Sequence, residues 1–181
     1  MIRLASSSPS RAEILKNAHV NFIQENVDFD EEQIIASSAK NFVYQATMGK
    51  YKANLEAFGC NDYPLLVADT VVTSGDKILR KAKSVDDARN ILMTQSGKVV
   101  SIVTCMVFKT PSIELIDISS TDYIFEKFDL DDLDNYLAGG EWRGKAGACM
   151  VEGFCKKYIK EVRGYESCAM GLSVEVLKRF L

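Results

Sequence analysis

The run Leu65-Leu66-Val67-Ala68-Asp69-Thr70-Val71-Val72 constrains this chain more than any other stretch. A short, nearly continuous apolar run is what a strand buried on both faces requires, since a half-exposed strand alternates apolar with polar. The run is interrupted once, by Asp69. A carboxylate inside such a strand is costly unless it is paired, hydrogen-bonded or bound to metal, and buried carboxylates of this kind are frequently functional. The ordinary alternative is an aspartate satisfied by a turn at the strand end. The resumption of the apolar run straight after Asp69 favours function.

Around that strand the pattern alternates between helix and strand. Residues 2–5 read as a short first strand. Ser6-Ser7-Ser8-Pro9-Ser10-Arg11 follows, then the helical Ala12-Glu13-Ile14-Leu15-Lys16. Proline suits a first helical turn and Ser8 before it is a natural cap, although Ser10 with Glu13 offers a capping box instead. A long helix is predicted from about Ala36 to about Phe58, where Tyr44, Met48, Tyr51 and Leu55 recur at helical spacing. Ser84 to Leu92 is a second clear helix, and Asp129 caps a third that carries Leu130, Leu133 and Leu137. Residues 99–108 and 113–126 read as strands, as do 146–152 and 157–163, with a final helix over 173–181. His19 is expected at a helix end or turn. The sum is a mixed α/β fold in one domain, 1–181.

Composition excludes several classes. The chain has 181 residues, enough for one domain with its own core, and a net charge of only −3. No run of 18 apolar residues is present, so no helical membrane span is expected. A near-neutral balance argues against coating of nucleic acid, which calls for a basic excess or stripe. Five cysteines form no Cys-x-x-Cys pair, and the start Met1-Ile2-Arg3-Leu4 shows no export pattern. These point to a cytoplasmic chain with reduced, inert cysteines. One histidine, His19, removes multi-histidine zinc sites and leaves hydrolytic chemistry to carboxylates, lysines and a hard metal.

Four further places carry candidate chemistry. The turn at residues 6–11 joins a strand to a helix N-terminus, a setting that binds phosphate through free N–H groups, with serine hydroxyls and Arg11 beside them. Taken alone it is an ordinary capped helix. Asp28, Asp30, Glu31 and Glu32 form an acidic cluster, one member of which could join Asp69 in holding Mg²⁺. Taken alone it is a solvated loop. Arg80, Lys81, Lys83 and Lys145 are individually bland but together offset a triphosphate. Glu152 ends the apolar stretch 146–152 beside glycines, where it could read a ligand edge or simply face solvent.

These segments, in this order, resemble the Maf family of nucleotide pyrophosphatases. Leu4-Ala5-Ser6-Ser7-Ser8-Pro9-Ser10-Arg11 is similar to the family's opening motif, Phe29-Asp30-Glu31 to its Asp-Glu element, and Ala68-Asp69-Thr70-Val71-Val72 to its central strand. Leu79-Arg80-Lys81-Ala82, Ser96-Gly97 through Thr104, Gly144-Lys145-Ala146-Gly147 through Glu152-Gly153, and Met170-Gly171-Leu172 match further motifs. Ala82, Val100 and Ser173 depart from the family's proline, histidine and final proline, and Ser10 stands where one subgroup has arginine. The family's helix lysine falls on Lys50 or Lys52.

The resemblance implies a mixed sheet flanked by helices, two lobes with a central cleft, and commonly a homodimer. It implies hydrolysis of a nucleoside triphosphate to monophosphate and pyrophosphate with a divalent metal, Mg or Mn, as cleansing of the nucleotide pool. Asp69 is then base or metal ligand and Glu31 a metal ligand. Ser8, Arg11, Lys81 and Lys145 contact phosphates, while Ser10, Thr70 and Glu152 set substrate choice. Glutamate at 152, where another subgroup has glutamine, implies 7-methyl-GTP over thymine or uracil nucleotides. The rival reading is a non-catalytic nucleotide-binding or septum-associated protein on the same fold.

Overall fold

The structure is a computed structural model describing residues 1–31, 34–75, 77–151 and 153–181. Its elements run β1 (Ile2–Leu4), α1 (Pro9–Asn17), β2 (Phe22–Gln24), α2 (Ala39–Phe58), β3 (Leu65–Ser74), β4 (Lys77–Leu79), α3 (Val85–Met93), β5 (Val99–Lys109) and β6 (Glu114–Phe125). α4 (Leu130–Gly139), β7 (Ile159–Arg163), α5 (Glu166–Ala169) and α6 (Val174–Leu177) follow. The strands form one mixed sheet in the order β2-β1-β3-β5-β6-β7, with β4 paired to β3. β1 lies parallel to β2 and β3, whereas β4 and β7 pair antiparallel to their neighbours. This is the mixed α/β sheet with flanking helices that the sequence implied.

The chain divides into two compact units. The first comprises Met1–Thr70, Val103–Ser120 and Tyr165–Leu181, and the second Val71–Ile102 and Thr121–Gly164. In the first unit β3 has both faces buried, as its apolar run requires. Leu66 and Ala68 pack in one core with Ile14 and Leu15 of α1, Met106 and Phe108 of β5, and Leu177 of α6. Leu65 and Val67, pointing the other way by strand alternation, pack with Tyr51 of α2 and Val107. Asp69 shares the α2-facing side with Leu65 and Val67. The second unit is built around aromatic rings. Phe128 lies edge-on to Phe125 and Phe154, Tyr136 stacks on Phe154, and the Tyr136 hydroxyl donates to the Ala148 carbonyl at 2.9 Å.

Helix starts follow the caps. Ser8, Ser38, Ser84 and Asp129 each accept from the backbone N–H three residues on. Two expectations change. Residues 146–151 are not a strand. Gly147 and Ala148 take φ of 66° and 52°, and two successive left-handed residues cannot extend. Only Ala146 makes a bridge, to Lys81. The final helix shrinks to Val174–Leu177. The cysteine expectation is also revised: Cys60, Cys105 and Cys168 are free, but Cys149 and Cys155 are joined, with Cα atoms 6.3 Å apart. Tyr136 and Phe154 of the aromatic cluster hold the two ends of that short loop. His19 does sit in a turn, with positive φ just past α1.

Candidate active site

In the first unit a pocket of about 300 Å³ opens between the serine turn, the acidic loop and α2. Ala5–Ser8 and Arg11 form one wall, Asn26–Phe29 and Glu31 another, and Lys50, Asn54 and Ala68 the rest. The acidic loop is held against α2 by two contacts. Asn54, buried on α2, accepts from the Val27 N–H at 2.8 Å and donates to the Val27 and Lys50 carbonyls at 3.2 and 2.8 Å. The Phe29 ring rests on Gly49, where a Cβ would collide with it. These two contacts fix the loop that carries Glu31.

Lys50 is the centre of charge. Its Nζ lies 2.7 Å from Asp69 Oδ1 and 2.5 Å from Glu31 Oε1. The choice between Lys50 and Lys52 is thereby resolved, because Lys52 is exposed. Burial pushes the Asp69 carboxyl up, while the Lys50 ammonium pulls it down; Glu31 raises it further and Arg11 lowers it. Two carboxylate oxygens from different elements thus converge on one cation. That donor set fits a hard divalent metal, which takes one or two carboxylates and completes its shell with water and substrate phosphate. Among the described residues no group of three or more His, Cys, Asp or Glu side chains is gathered for a metal.

Arg11 lies beneath the serine turn. Its Nη1 donates to Ser6 Oγ at 2.9 Å and its Nε to the Gly171 carbonyl at 2.8 Å. Burial lowers its pKa, and Asp69 and Glu31 oppose that shift. Ser6 Oγ also accepts from the Ser8 N–H at 3.2 Å, so the turn is tied to itself and to Arg11. Ser8 caps α1 with its hydroxyl 3.4 Å from the Arg11 N–H, and Ser10 is exposed on the first turn of α1. Thr70 follows Asp69 and accepts from Arg11 Nη2 at 3.3 Å.

Lys81 and Lys145 belong to the second unit. The Lys81–Ala146 bridge and the bond from Gly147 N–H to the Arg80 carbonyl, 3.1 Å, set their backbone segments side by side. Both side chains are exposed. Gln95, fully buried, donates to the Gly147 carbonyl at 2.6 Å and holds the loop from below. Glu152, and Glu32 of the acidic cluster, lie outside the described residues. Sequence reasoning missed Asn54, Gly49 and Gln95, which carry no charge and bear on the site only through tertiary contact.

The family described as "Maf-like protein" matches residues 1–181. A nucleoside triphosphate pyrophosphatase from a Nitratiruptor species is 54% identical over 179 residues, covering 98% of this chain and 96% of its own. Proteins of the same name from Helicobacter pylori and Campylobacter jejuni are each 36% identical. They cover 96% and 100% of this chain, and 91% and 100% of their own.

Proposed function

The chain belongs to the Maf family, and from that footing we propose that it hydrolyses a nucleoside triphosphate to the monophosphate and pyrophosphate. The observation that carries the reading is the convergence of Asp69 and Glu31 on Lys50, which with Glu31 lines a pocket walled by the serine turn and Arg11. Water attacks the α-phosphorus, Asp69 accepts its proton, and pyrophosphate leaves with the bridging oxygen. Asp69 and Glu31 would also hold a divalent metal, Mg or Mn, which supplies positive charge against the charge building on that oxygen. Lys50 pairs with both carboxylates and adds to the same field. Ser8 and Arg11 steady the phosphates, and Lys81 and Lys145 are assigned as further phosphate contacts.

Base choice rests on Glu152 with Ser10 and Thr70. A guanine edge shows N1–H and N2–H₂ side by side, two donors that an ionised carboxylate accepts together. Against uracil the same carboxylate meets a carbonyl oxygen with no proton to share, at a cost of about 1–3 kcal/mol. Methylation at N7 adds positive charge to the purine, which favours 7-methyl-GTP further. The role is cleansing of the nucleotide pool, in the cytoplasm, by a homodimer. No helix among the described residues is long and apolar enough to cross a membrane.

The test is incubation with GTP, 7-methyl-GTP, UTP, CTP and dTTP at millimolar Mg²⁺ or Mn²⁺. Pyrophosphate and monophosphate are expected, with 7-methyl-GTP turned over more efficiently than UTP and the ratio reduced in Glu152→Gln. Orthophosphate with a nucleoside diphosphate would refute the cleavage point, and no turnover at all would leave a binding protein.

A further inference from the structure

Beyond the pocket, the hydrogen bonds behind Arg11 form a chain whose direction is fixed. The Thr104 hydroxyl, fully buried on β5, lies 2.7 Å from the Cys168 carbonyl and 2.9 Å from Thr70 Oγ1. Thr70 Oγ1 lies 3.3 Å from Arg11 Nη2. A carbonyl only accepts and a guanidinium only donates, while each threonine has one proton to give. The Thr104 proton therefore goes to Cys168. Arg11 occupies a lone pair of Thr70, and the Thr70 proton must go to Thr104. The order is Arg11 Nη2 to Thr70 to Thr104 to the Cys168 carbonyl, with no alternative that satisfies both ends.

The same backbone segment closes the arrangement from its other end, because the Gly171 carbonyl accepts Arg11 Nε at 2.8 Å. Gly171 has a φ of 110°, and a Cβ there would come within 3.3 Å of Thr70 Oγ1 and 3.4 Å of Arg11 Nε. The glycine of the Met170-Gly171-Leu172 motif is thus needed both for its backbone conformation and for the closeness of this approach. The segment from Cys168 to Gly171 grips the guanidinium through two of its carbonyls, one directly and one through two hydroxyls.

We propose that Thr104 is a positioning residue for the phosphate-binding turn: by committing its proton to Cys168 it forces Thr70 to face Arg11 as an acceptor, and so sets the guanidinium that holds Ser6. The assignment deepens the pyrophosphatase reading and rests on it for the identity of the ligand. It carries a consequence for specificity. With its proton directed to Thr104, Thr70 meets a ligand only by accepting, so the group it selects is a donor.

The experiment uses the full chain labelled with ¹⁵N and reads solvent exchange of the Arg11 Nε–H, which reports guanidinium order whether or not the protein turns over nucleotide. Thr104→Val removes the hydroxyl at constant shape and is expected to speed that exchange about tenfold, the factor carried by one lost hydrogen bond. Thr104→Ser keeps the hydroxyl and is expected to restore it. Thr70→Val cuts the chain one link nearer Arg11 and is expected to match Thr104→Val, which keeps the test decisive if the first variant does not fold. Unchanged exchange in the valine variants overturns the proposal. So does equal acceleration in Thr104→Ser, which would assign the effect to packing. A companion assay of pyrophosphate release is expected to show KM raised more than kcat is lowered in Thr104→Val, with no added loss when Arg11→Lys is already present. Additive losses would overturn the proposal, whereas the expected exchange pattern in a protein with no turnover would uphold the network and reject the pyrophosphatase reading alone.

Discussion

The two compact units hold their candidate residues in opposite ways. In the unit built from Met1–Thr70 and its partner segments, each charged group of the central cluster is already engaged. Lys50 spans Glu31 and Asp69, and Arg11 is bonded to Ser6, Thr70 and Gly171. In the other unit Lys81 and Lys145 are exposed, and among the described residues neither ammonium forms an ion pair; only their backbone is fixed. Charge held before the substrate arrives stabilises a transition state without reorganisation. Charge on loose side chains must be ordered on binding, and that ordering reduces affinity. The Lys50 and Arg11 groups are thus ordered in advance, whereas Lys81 and Lys145 would have to be ordered by a ligand.

The sharpest way to break this contrast is Asp69→Asn. Loss of a general base or metal ligand should lower kcat by about 10²-fold or more, read as pyrophosphate release at saturating Mg²⁺. A near-normal rate would remove Asp69 from the chemistry. Lys50→Ala comes next. It leaves two carboxylates facing each other in a half-buried pocket, and a fall in activity of about 10²-fold with a lower Tm is expected, since like charges disfavour joint ionisation. Lys52→Ala, from the exposed side of the same helix, should change neither.

Lys81→Ala and Lys145→Ala sharpen the comparison from the other unit. Each should raise KM by about tenfold, the scale of one charge-assisted contact, and leave Tm where it was. A drop in Tm like that of Lys50→Ala would mean that these lysines are built in rather than loose. Gly49→Ala touches no charge. It drives a methyl group into the Phe29 ring and should cost about 1–3 kcal/mol of stability, as overpacking does, with weaker Mg²⁺ dependence because Glu31 follows Phe29. The smallest effect concerns a thiol away from the pocket. Burial pushes Cys105 up to about 11. At pH 8 its thiolate is scarce, and alkylation should be far slower than at the half-buried Cys60, with the rate at Cys105 rising as pH approaches 11.

Much of the site could be read in the sequence because its residues break local rules. Asp69 interrupts an apolar run, and the serine-proline turn interrupts a strand-to-helix passage. Such conflicts are visible without a fold. The strand over 65–72, which the structure extends to Ser74, the capped helices and the long central pair of strands were visible too, because period and caps are local. Asn54 and Gln95 were not, since a polar residue inside a helical stretch looks solvated until tertiary packing buries it. Nor was the loop at 146–148: its apolar composition resembles a strand, and only the left-handed backbone at Gly147 and Ala148 rules one out. The choice of Lys50 over Lys52 needed the angular position of α2 against β3, which no spacing argument supplies.

The central claim is that this pocket directs water to the α-phosphorus of a nucleoside triphosphate. Turnover of GTP in H₂¹⁸O with Mg²⁺, followed by mass spectrometry of both products, tests it directly. One ¹⁸O on the monophosphate and none on pyrophosphate is the expected result. Label on pyrophosphate, or on orthophosphate released with a diphosphate, would place the attack elsewhere and contradict the account.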